Sequence, residues 1–471
     1  MSSKKRTVLN NVKIFDIANK GQAIAKFNER VILVDKGVPG DICDILVTKK
    51  RRKFWKGKIV KRIKDSEHRI EAKCKHFGIC GGCKWQNMKY DSQLNFKQNE
   101  VLNNLKRIGG VEFENINKII SCDETFFYRN KMEFTFSNKR WLTDEEIKNC
   151  KIIQNRNACG FHISGRYDKV IDIEECHLQK EPSNSIRNSI KEFCLKNEIS
   201  FFDLREKNGL IRNLLIRTGY HNELMVLVQF FKNDLKKINL LMNHLKNSFK
   251  SITSLLYVIN NKANSTIYDQ DVICFSGKKF IEEKIGALSF DIGPKSFFQT
   301  NSKQTKILFD KISEIADLKN NHIVYDLYTG TGTIAQYLSK NAKKIIGIDS
   351  VEEAINAAKR SSKKNKIKNC TFICGDMKLI LNEDFIKSNC KPDVIITDPP
   401  RDGMHKKVIS QIMSVKPEKI VYVSCNSATQ ARDIAILKEL YDIEFIQPVD
   451  MFPMTHHVEN IVSLTLKKKT A

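Results

Sequence analysis

Nowhere in the 471 residues does an apolar run approach the about 18 positions that a bilayer-spanning helix requires. The N-terminus, Met1-Ser-Ser-Lys-Lys-Arg6, has no apolar segment behind it, so no secretory signal is expected and the cytoplasm is the expected compartment. Internal repeats and low-complexity stretches are also missing. A hydrophobic fraction of 41% argues against wholesale disorder, and the length admits roughly two to four domains. Acidic residues are comparatively few: 54 Asp and Glu face 80 Lys and Arg, a net charge of +26. Such a surface suits nucleic acid first and an anionic membrane second, and no strongly amphipathic basic helix supports the membrane. Lys, Asn and Ile are abundant throughout, so the distribution of charge says more than its sum. Residues 1–65 alone carry 18 Lys or Arg against 6 Asp or Glu. The 14 cysteines, with no secretory signal expected, do not read as a disulfide framework. Metal ligation, catalysis and burial remain.

Residues 6–65 read as five short strands: Val8 to Ile17, Ala23 to Phe27, Val31 to Val34, Ile42 to Val47 and Lys56 to Ile63. Turn signals at Gly21, Lys36-Gly37 and Pro39-Gly40-Asp41 separate them. Five such strands predict a small barrel of the oligonucleotide-binding type. The run Lys49-Lys-Arg-Arg-Lys-Phe-Trp-Lys56 sets two aromatics in a basic loop, where Trp55 either stacks on bases or folds back onto the barrel. This segment resembles the TRAM domain of RNA-modifying enzymes, Gly37-Val-Pro-Gly-Asp41 being the best match. A helix is predicted over 90–108, closed by Gly109-Gly110. From Tyr128 to about Phe280 the pattern is mixed, with strands at Lys131 to Phe136, Leu214 to Arg217 and Leu224 to Phe230 and helices near 184–196 and 233–249. From about 320 onward strands and helices alternate as in a doubly wound sheet. Its strands are His322 to Leu327, Lys344 to Asp349, Thr371 to Cys374, Val394 to Thr397 and Ile420 to Ser424, with a closing hairpin of Ile443 to Val449 and Ile461 to Leu466. The expected organisation is a barrel over 1–65, an α+β middle domain over 66–290 and an α/β domain over 291–471.

The middle domain opens with Cys74-Lys-His-Phe-Gly-Ile-Cys-Gly-Gly-Cys83. Three cysteines spaced C-x5-C-x2-C among glycines form a tight loop whose thiolates can converge on one point, and Cys176 in Glu174-Glu-Cys-His-Leu178 is the best fourth ligand. A three-plus-one arrangement suits a [4Fe–4S] cluster better than zinc, which tends to pair two close knuckles; zinc is the rival reading. Cys122, Cys150, Cys159, Cys194 and Cys274 show no ligand spacing and read as structural.

In the α/β region, Gly330-Thr-Gly332 at a strand-to-helix turn lets backbone approach a ligand, and Asp349 beyond it can bind a ribose. A dinucleotide site would satisfy the same pattern. S-adenosylmethionine is favoured because Asp326 ends one strand where a carboxylate can meet an ammonium group, Asp398-Pro-Pro ends another, and Cys425 ends a third. In amino-methyltransferases an aromatic follows Asp-Pro-Pro; here Arg401 does. A Cys with a carboxylate on one sheet edge suits a carbon nucleophile that must first be created. C5 of uracil becomes nucleophilic when a thiolate adds at C6, and a base must then remove the C5 proton. Cys425, with the start of a helix behind it to lower its pKa, and Glu459, which opens the last strand, are the candidates.

On these residues the sequence is similar to the RNA (uracil-5)-methyltransferase family, most of all to its iron–sulfur 23S rRNA branch. The likeness runs nearly end to end: the barrel, Cys74/Cys80/Cys83, Phe297-Phe-Gln-Thr-Asn301, Asp326-Leu-Tyr-Thr-Gly330, Asp398-Pro-Pro-Arg401, Ser424-Cys-Asn426 and His457-Val-Glu459. The resemblance implies Cys425 as nucleophile and Glu459 as base. It implies donor binding by Gln299, Tyr328, Asp349 and Asp398, and cluster ligation by Cys74, Cys80, Cys83 and Cys176. The family often has Cys where Thr329 stands and Glu where Asp349 stands. A monomer with no obligate protein partner, acting on 23S rRNA through a flipped uridine, is expected. The basic barrel and Arg401 would hold the flanking RNA backbone. A tRNA substrate, an inactive RNA-binding protein and a nicotinamide-dependent oxidoreductase are the competing readings.

Overall fold

The computed structural model describes residues 7–113, 116–149 and 155–468; Cys150 lies outside them. Alternating apolar residues fold the N-terminal segment into a closed barrel of β1 (Val8–Ile17), β2 (Ala23–Phe27), β3 (Arg30–Asp35), β4 (Ile42–Lys50) and β5 (Trp55–Lys64), in the order β1-β2-β3-β5-β4. Ile14, Ala25, Ile32, Val34, Cys43 and Ile45 fill it. The barrel is so tight that a Cβ on Gly57 would lie 2.3 Å from Ile45, so glycine is required there. The Pro39-Gly40-Asp41 turn acts as a latch. The fully buried Asp41 carboxylate accepts from the N–H groups of Val38 (2.8 Å) and Ser66 (2.9 Å) and from Arg69 Nε (3.0 Å), tying the barrel to the segment that follows. Trp55 lies against the barrel's apolar core with Lys50 over its ring, which is the fold-back arrangement.

The middle of the chain builds a seven-stranded sheet from β6 (Lys131–Ser137), β7 (Ala158–Ile163), β8 (Arg166–Asp172), β9 (Ile211–Thr218), β10 (Leu224–Phe230), β11 (Ser254–Ile259) and β12 (Val272–Gly277), ordered β12-β11-β10-β9-β6-β7-β8. Helices Ser183–Lys196 and Leu235–Ser248 supply Ile186, Ile190, Ile238 and Leu241 to the core on one face of this sheet. Cys159 and Cys194 are buried in that core and Cys122 is buried elsewhere, as structural thiols should be; Cys274 is half-buried. A hairpin, β13 (Ile281–Ile285) and β14 (Leu288–Ile292), leads onward.

The C-terminal sheet contains β15 (Ile323–Leu327), β16 (Lys344–Asp349), β17 (Cys370–Cys374), β18 (Val394–Thr397), β19 (Lys419–Ser424), β20 (Tyr441–Val449) and β21 (Glu459–Leu466), in the order β17-β16-β15-β18-β19-β21-β20. β21 alone runs against the others. The strand order reverses between β15 and β18, and in open sheets the crevice at the carboxyl ends beside such a reversal receives the ligand. The helix Tyr90–Arg107 precedes the middle sheet in sequence, yet Leu94, Val101 and Leu105 join Ala431, Ile434 and Leu437 in the core of the C-terminal sheet. Among the described residues no helix is long and apolar enough to cross a membrane.

Candidate active site

β15 carries Asp326 as its penultimate residue, and after Leu327 the chain turns sharply into the helix Thr333–Leu338. Tyr328, Gly330 and Gly332 all hold positive φ. A side chain on Gly332 would meet Phe372 at 2.6 Å, whereas the same direction at Gly330 is open, so backbone is exposed there for a ligand. Gly330 N–H donates to Asp349 Oδ2 at 3.0 Å, placing the acid at the end of β16 against the glycine turn. Asp326 is buried. Its Oδ2 accepts from Thr329 Oγ1 and from Ala335 N–H, while Oδ1 has no partner. The threonine at the position where the family often has cysteine therefore has a use: its hydroxyl orients Asp326. Burial, with Asp398 and Asp349 nearby, pushes the Asp326 carboxyl up to about 7; burial alone does the same to Asp398. An unpaired buried oxygen beside an open glycine turn, among acids short of a cation, fits the cationic amino-acid end of S-adenosylmethionine. Gln299 is half-buried on the segment after β14, its carbonyl accepting from Asn130 Nδ2 at 3.0 Å.

The second half of the crevice lies one strand over. β19 and β21 pair with Ser424 opposite Asn460, so Cys425 and Glu459 follow directly at the same end of adjacent strands. Gln430 fixes that junction: its Nε2 donates to the carbonyls of Tyr422 (2.9 Å) and Asn460 (3.2 Å), and its Oε1 accepts from Asn460 Nδ2 (2.8 Å). Asn426 caps the helix Ser427–Leu437 through Ala428 N–H. The expected lowering of the Cys425 pKa by this helix is not what the ligand-free site shows. Burial, then Glu459 and Asp398, push the thiol up to about 11, against a hydrogen bond and charge from Arg401. Burial is the leading cause, and the two neighbouring acids add to it. Burial and Asp398 likewise raise Glu459 to about 8, again opposed by Arg401. Arg401 thus lies beside both Cys425 and Glu459. Its carbonyl also accepts from Asn426 Nδ2 (2.9 Å) and Thr429 Oγ1 (3.1 Å), which locks the Asp398-Pro-Pro-Arg401 loop to the helix behind Cys425.

Cys74, Cys80, Cys83 and Cys176 border one cavity of about 210 Å³, which also reaches Arg129, His456 and His457. That volume is many times the about 15 Å³ a single water needs. Among the described residues no three His, Cys, Asp or Glu side chains are grouped to hold a metal ion. The four thiols surround a space. They are near one another nonetheless, since Cys83, Cys176 and Cys74 add to burial in pushing the Cys80 thiol up to about 12.

Residues 204–468 match the tRNA (Uracil-5-)-methyltransferase family, and residues 7–60 match the TRAM domain. The chain is 48% identical over 454 residues to a protein of Bacteroides thetaiotaomicron described as an RNA methyltransferase, covering 96% of this chain and 100% of that one. A Porphyromonas gingivalis protein of the same description is also 48% identical, with 96% and 99% covered. The chain belongs to the tRNA (uracil-5-)-methyltransferase family. Its fold is similar to the crystal structure of the Pyrococcus abyssi tRNA (uracil-54, C5)-methyltransferase in complex with S-adenosyl-L-homocysteine, with a TM-score of 0.74, 29% identity, and 98% and 100% of the two chains covered. Family membership makes this an S-adenosylmethionine-dependent methyltransferase acting on RNA, the class read from its motifs.

One element of this methyltransferase escaped sequence reasoning. The loop before Glu459 is gripped by the helix Tyr90–Arg107. Lys97 Nζ and Asp450 Oδ1 form a fully buried ion pair at 2.6 Å, Lys97 also donates to Phe452 O (3.1 Å), and Tyr90 Oη donates to Asp450 Oδ2 (2.9 Å). Gln93 Oε1 accepts from Met454 N–H at 3.0 Å, and the cysteine loop adds Lys84 and Trp85 N–H groups on Met454 O. At the other end of the same helix Asn104 Nδ2 donates to Ser427 Oγ at 2.8 Å, two residues from Cys425. A single helix therefore braces both halves of the Cys425–Glu459 pair. Its partners lie more than 320 residues apart in sequence, and the one available signal was a Lys and a Gln on an otherwise apolar helical stripe.

Proposed function

We propose that this enzyme methylates C5 of a uridine in 23S rRNA, with Cys425 adding to C6 and Glu459 removing the C5 proton. The observation that carries the reading is the pairing of β19 with β21, which sets a thiol and a raised carboxyl side by side over the donor crevice. S-adenosylmethionine, when bound, supplies the electrophilic methyl group. Asp326 Oδ1 is the free acceptor for its ammonium group, Asp349 faces its ribose, and Gln299, Tyr328 and Asp398 complete the pocket. Attack requires Cys425 to give its proton to solvent and Glu459 to be ionised, and Arg401, beside both, stabilises the thiolate. Addition at C6 moves charge onto the uracil ring, C5 takes the methyl group, Glu459 accepts the C5 proton, and the C6–S bond breaks to restore the thiolate.

The four cysteines fit a [4Fe–4S] cluster, because thiols around a space match a polynuclear core better than a lone zinc ion bound at about 2.3 Å from each sulfur. The reaction consumes no electrons, so a cluster at this place would brace the loop that presents Glu459. Residues 1–65, 66–290 and 291–471 are assigned as barrel, middle and methyltransferase domains, the first gripping RNA. A tRNA substrate is the second reading, favoured by the likeness to an enzyme named for uracil-54 of tRNA. Methyl transfer from labelled donor into unmodified 23S rRNA and bulk tRNA, followed by mapping of the labelled nucleoside, tests both. Label at C5 of an rRNA uridine is expected; label in tRNA alone overturns the rRNA assignment.

A further inference from the structure

The middle sheet has two unlike faces. On β6, β9 and β10, Met132, Phe134, Leu214, Ile216, Val226 and Val228 pack against helices. Alternation sends their neighbours to the other side, where the register aligns Lys131 with Arg217, Glu133 with Leu215 and Leu227, and Thr135 with Asn213 and Gln229. On this second face Leu215 and Leu227 join the core shared with the β13–β14 hairpin and the helix Ser302–Ala316, and beside that core lies a pocket of about 190 Å³. Leu215 and Leu227 give it an apolar floor. Lys131, Glu133, Asn213, Gln229, Tyr268 and Lys295 surround it.

The pocket is built for an occupant. Gln229 is 97% buried (relative exposure 3%), and its Nε2 is committed to Ser265 O at 3.0 Å, yet its Oε1 has no partner. A buried amide oxygen without a donor is unfavourable until something supplies one. Asn213 and Glu133 add further polar groups, so the wall offers donors and acceptors together, as the edge of a nucleobase does; a bare phosphate site would be uniformly positive. Tyr268 is 66% exposed, a free aromatic face at the same place. The volume is below the roughly 300 Å³ of drug-sized sites and far above one water, which suits a single base. Lys295 lies four residues before Gln299, so the pocket's edge is within about 14 Å of the donor crevice along the chain.

We propose that this pocket is a second nucleotide site, which takes up an unstacked base of the same RNA a few nucleotides from the methylated uridine. It rests on the RNA methylation proposed above. Stacking on Tyr268 and hydrogen bonds to Gln229 hold the base, while Lys131 and Lys295 attract the adjoining phosphates. The site would thereby select the target uridine by its neighbours.

The test uses the full chain trapped on 5-fluorouracil-substituted 23S rRNA transcript, with hydrogen–deuterium exchange of the adduct against free enzyme. Slowed exchange over 262–270 and 293–297, together with 424–430, is the expected result. Protection at 424–430 without protection at 262–270 and 293–297 overturns the second site while leaving the methylation reading intact. No adduct at all overturns that reading and the second site with it. In steady state, Tyr268→Ala raises KM for the rRNA transcript about tenfold and leaves kcat within about twofold. An unchanged KM contradicts the proposal.

Discussion

Replacing Lys97 by methionine removes one member of a fully buried ion pair and leaves the Asp450 carboxylate with Tyr90 and the Phe452 N–H. Removing one partner of such a pair costs about 3–5 kcal/mol, because the remaining charge stays buried and uncompensated. Lys97→Met is therefore expected to lower the unfolding free energy of the methyltransferase unit by that amount in denaturant titrations, and the double variant with Asp450→Asn to recover a large part of it. Activity should suffer in a particular way. Asp450 and Phe452 lie on the loop entering β21, so the loss loosens Glu459 more than Cys425, which keeps Gln430 and Asn104. A misplacement of about 1 Å at a reacting group costs about 100-fold. Adduct formation on RNA should then persist while its resolution slows, so covalent enzyme–RNA complex accumulates in single-turnover reactions with ordinary rRNA. Wild-type stability in Lys97→Met, or equal slowing of adduct formation and resolution, would refute the bracing role.

Three further outcomes follow from the same geometry. Glu459 holds its proton up to about pH 8, so adduct resolution should rise with pH through that value; Glu459→Gln should abolish this limb and slow resolution by about 100- to 10,000-fold in rapid-quench assays. Asp326, raised to about 7 by burial, makes the ligand-free fold less stable as pH climbs from the ordinary carboxyl value near 4 to about 7, and the cost is fully present above that. Asp326→Asn should therefore melt higher than wild type at pH 8 without donor and no higher near pH 4, while calorimetry shows donor binding weakened by about 10- to 100-fold. Anaerobically purified protein should carry iron and sulfide in the proportion of a four-iron cluster, lost when Cys74, Cys80 and Cys83 are changed to Ser; stoichiometric zinc would assign the cavity to a single ion.

The strands of the C-terminal sheet were legible because buried parallel strands read as unbroken β-branched runs: Val394-Ile-Ile-Thr397 stops dead at Asp398, and Val421-Tyr-Val-Ser424 at Cys425. The barrel was legible for the opposite reason, since its alternation is regular and its turns carry Gly and Pro. The partnership of Cys425 with Glu459 came from chemistry, because a carbon nucleophile needs both, and strand pairing then set them together. What sequence could not give was anything decided by distant partners. Lys97 finds Asp450 across 353 residues, and Gln229 Nε2 donates to Ser265 O on a loop 36 residues away. The raised pKa of Cys425 was hidden for the same reason: burial is its main cause, Glu459 and Asp398 add to it, and all three come from the tertiary fold, while the helix behind it is local and visible. The hairpin of β13 and β14 was missed as well, its five-residue strands being too short for a pattern.

The most direct test of the central claim is trapping on 5-fluorouracil-substituted 23S rRNA with methyl-labelled S-adenosylmethionine. Fluorine at C5 cannot leave as a proton, so the reaction should stop at a covalent, methylated adduct whose peptide attachment is Cys425 and which Cys425→Ala does not form. An adduct attached to another residue, or label transferred without any covalent intermediate, would contradict the account.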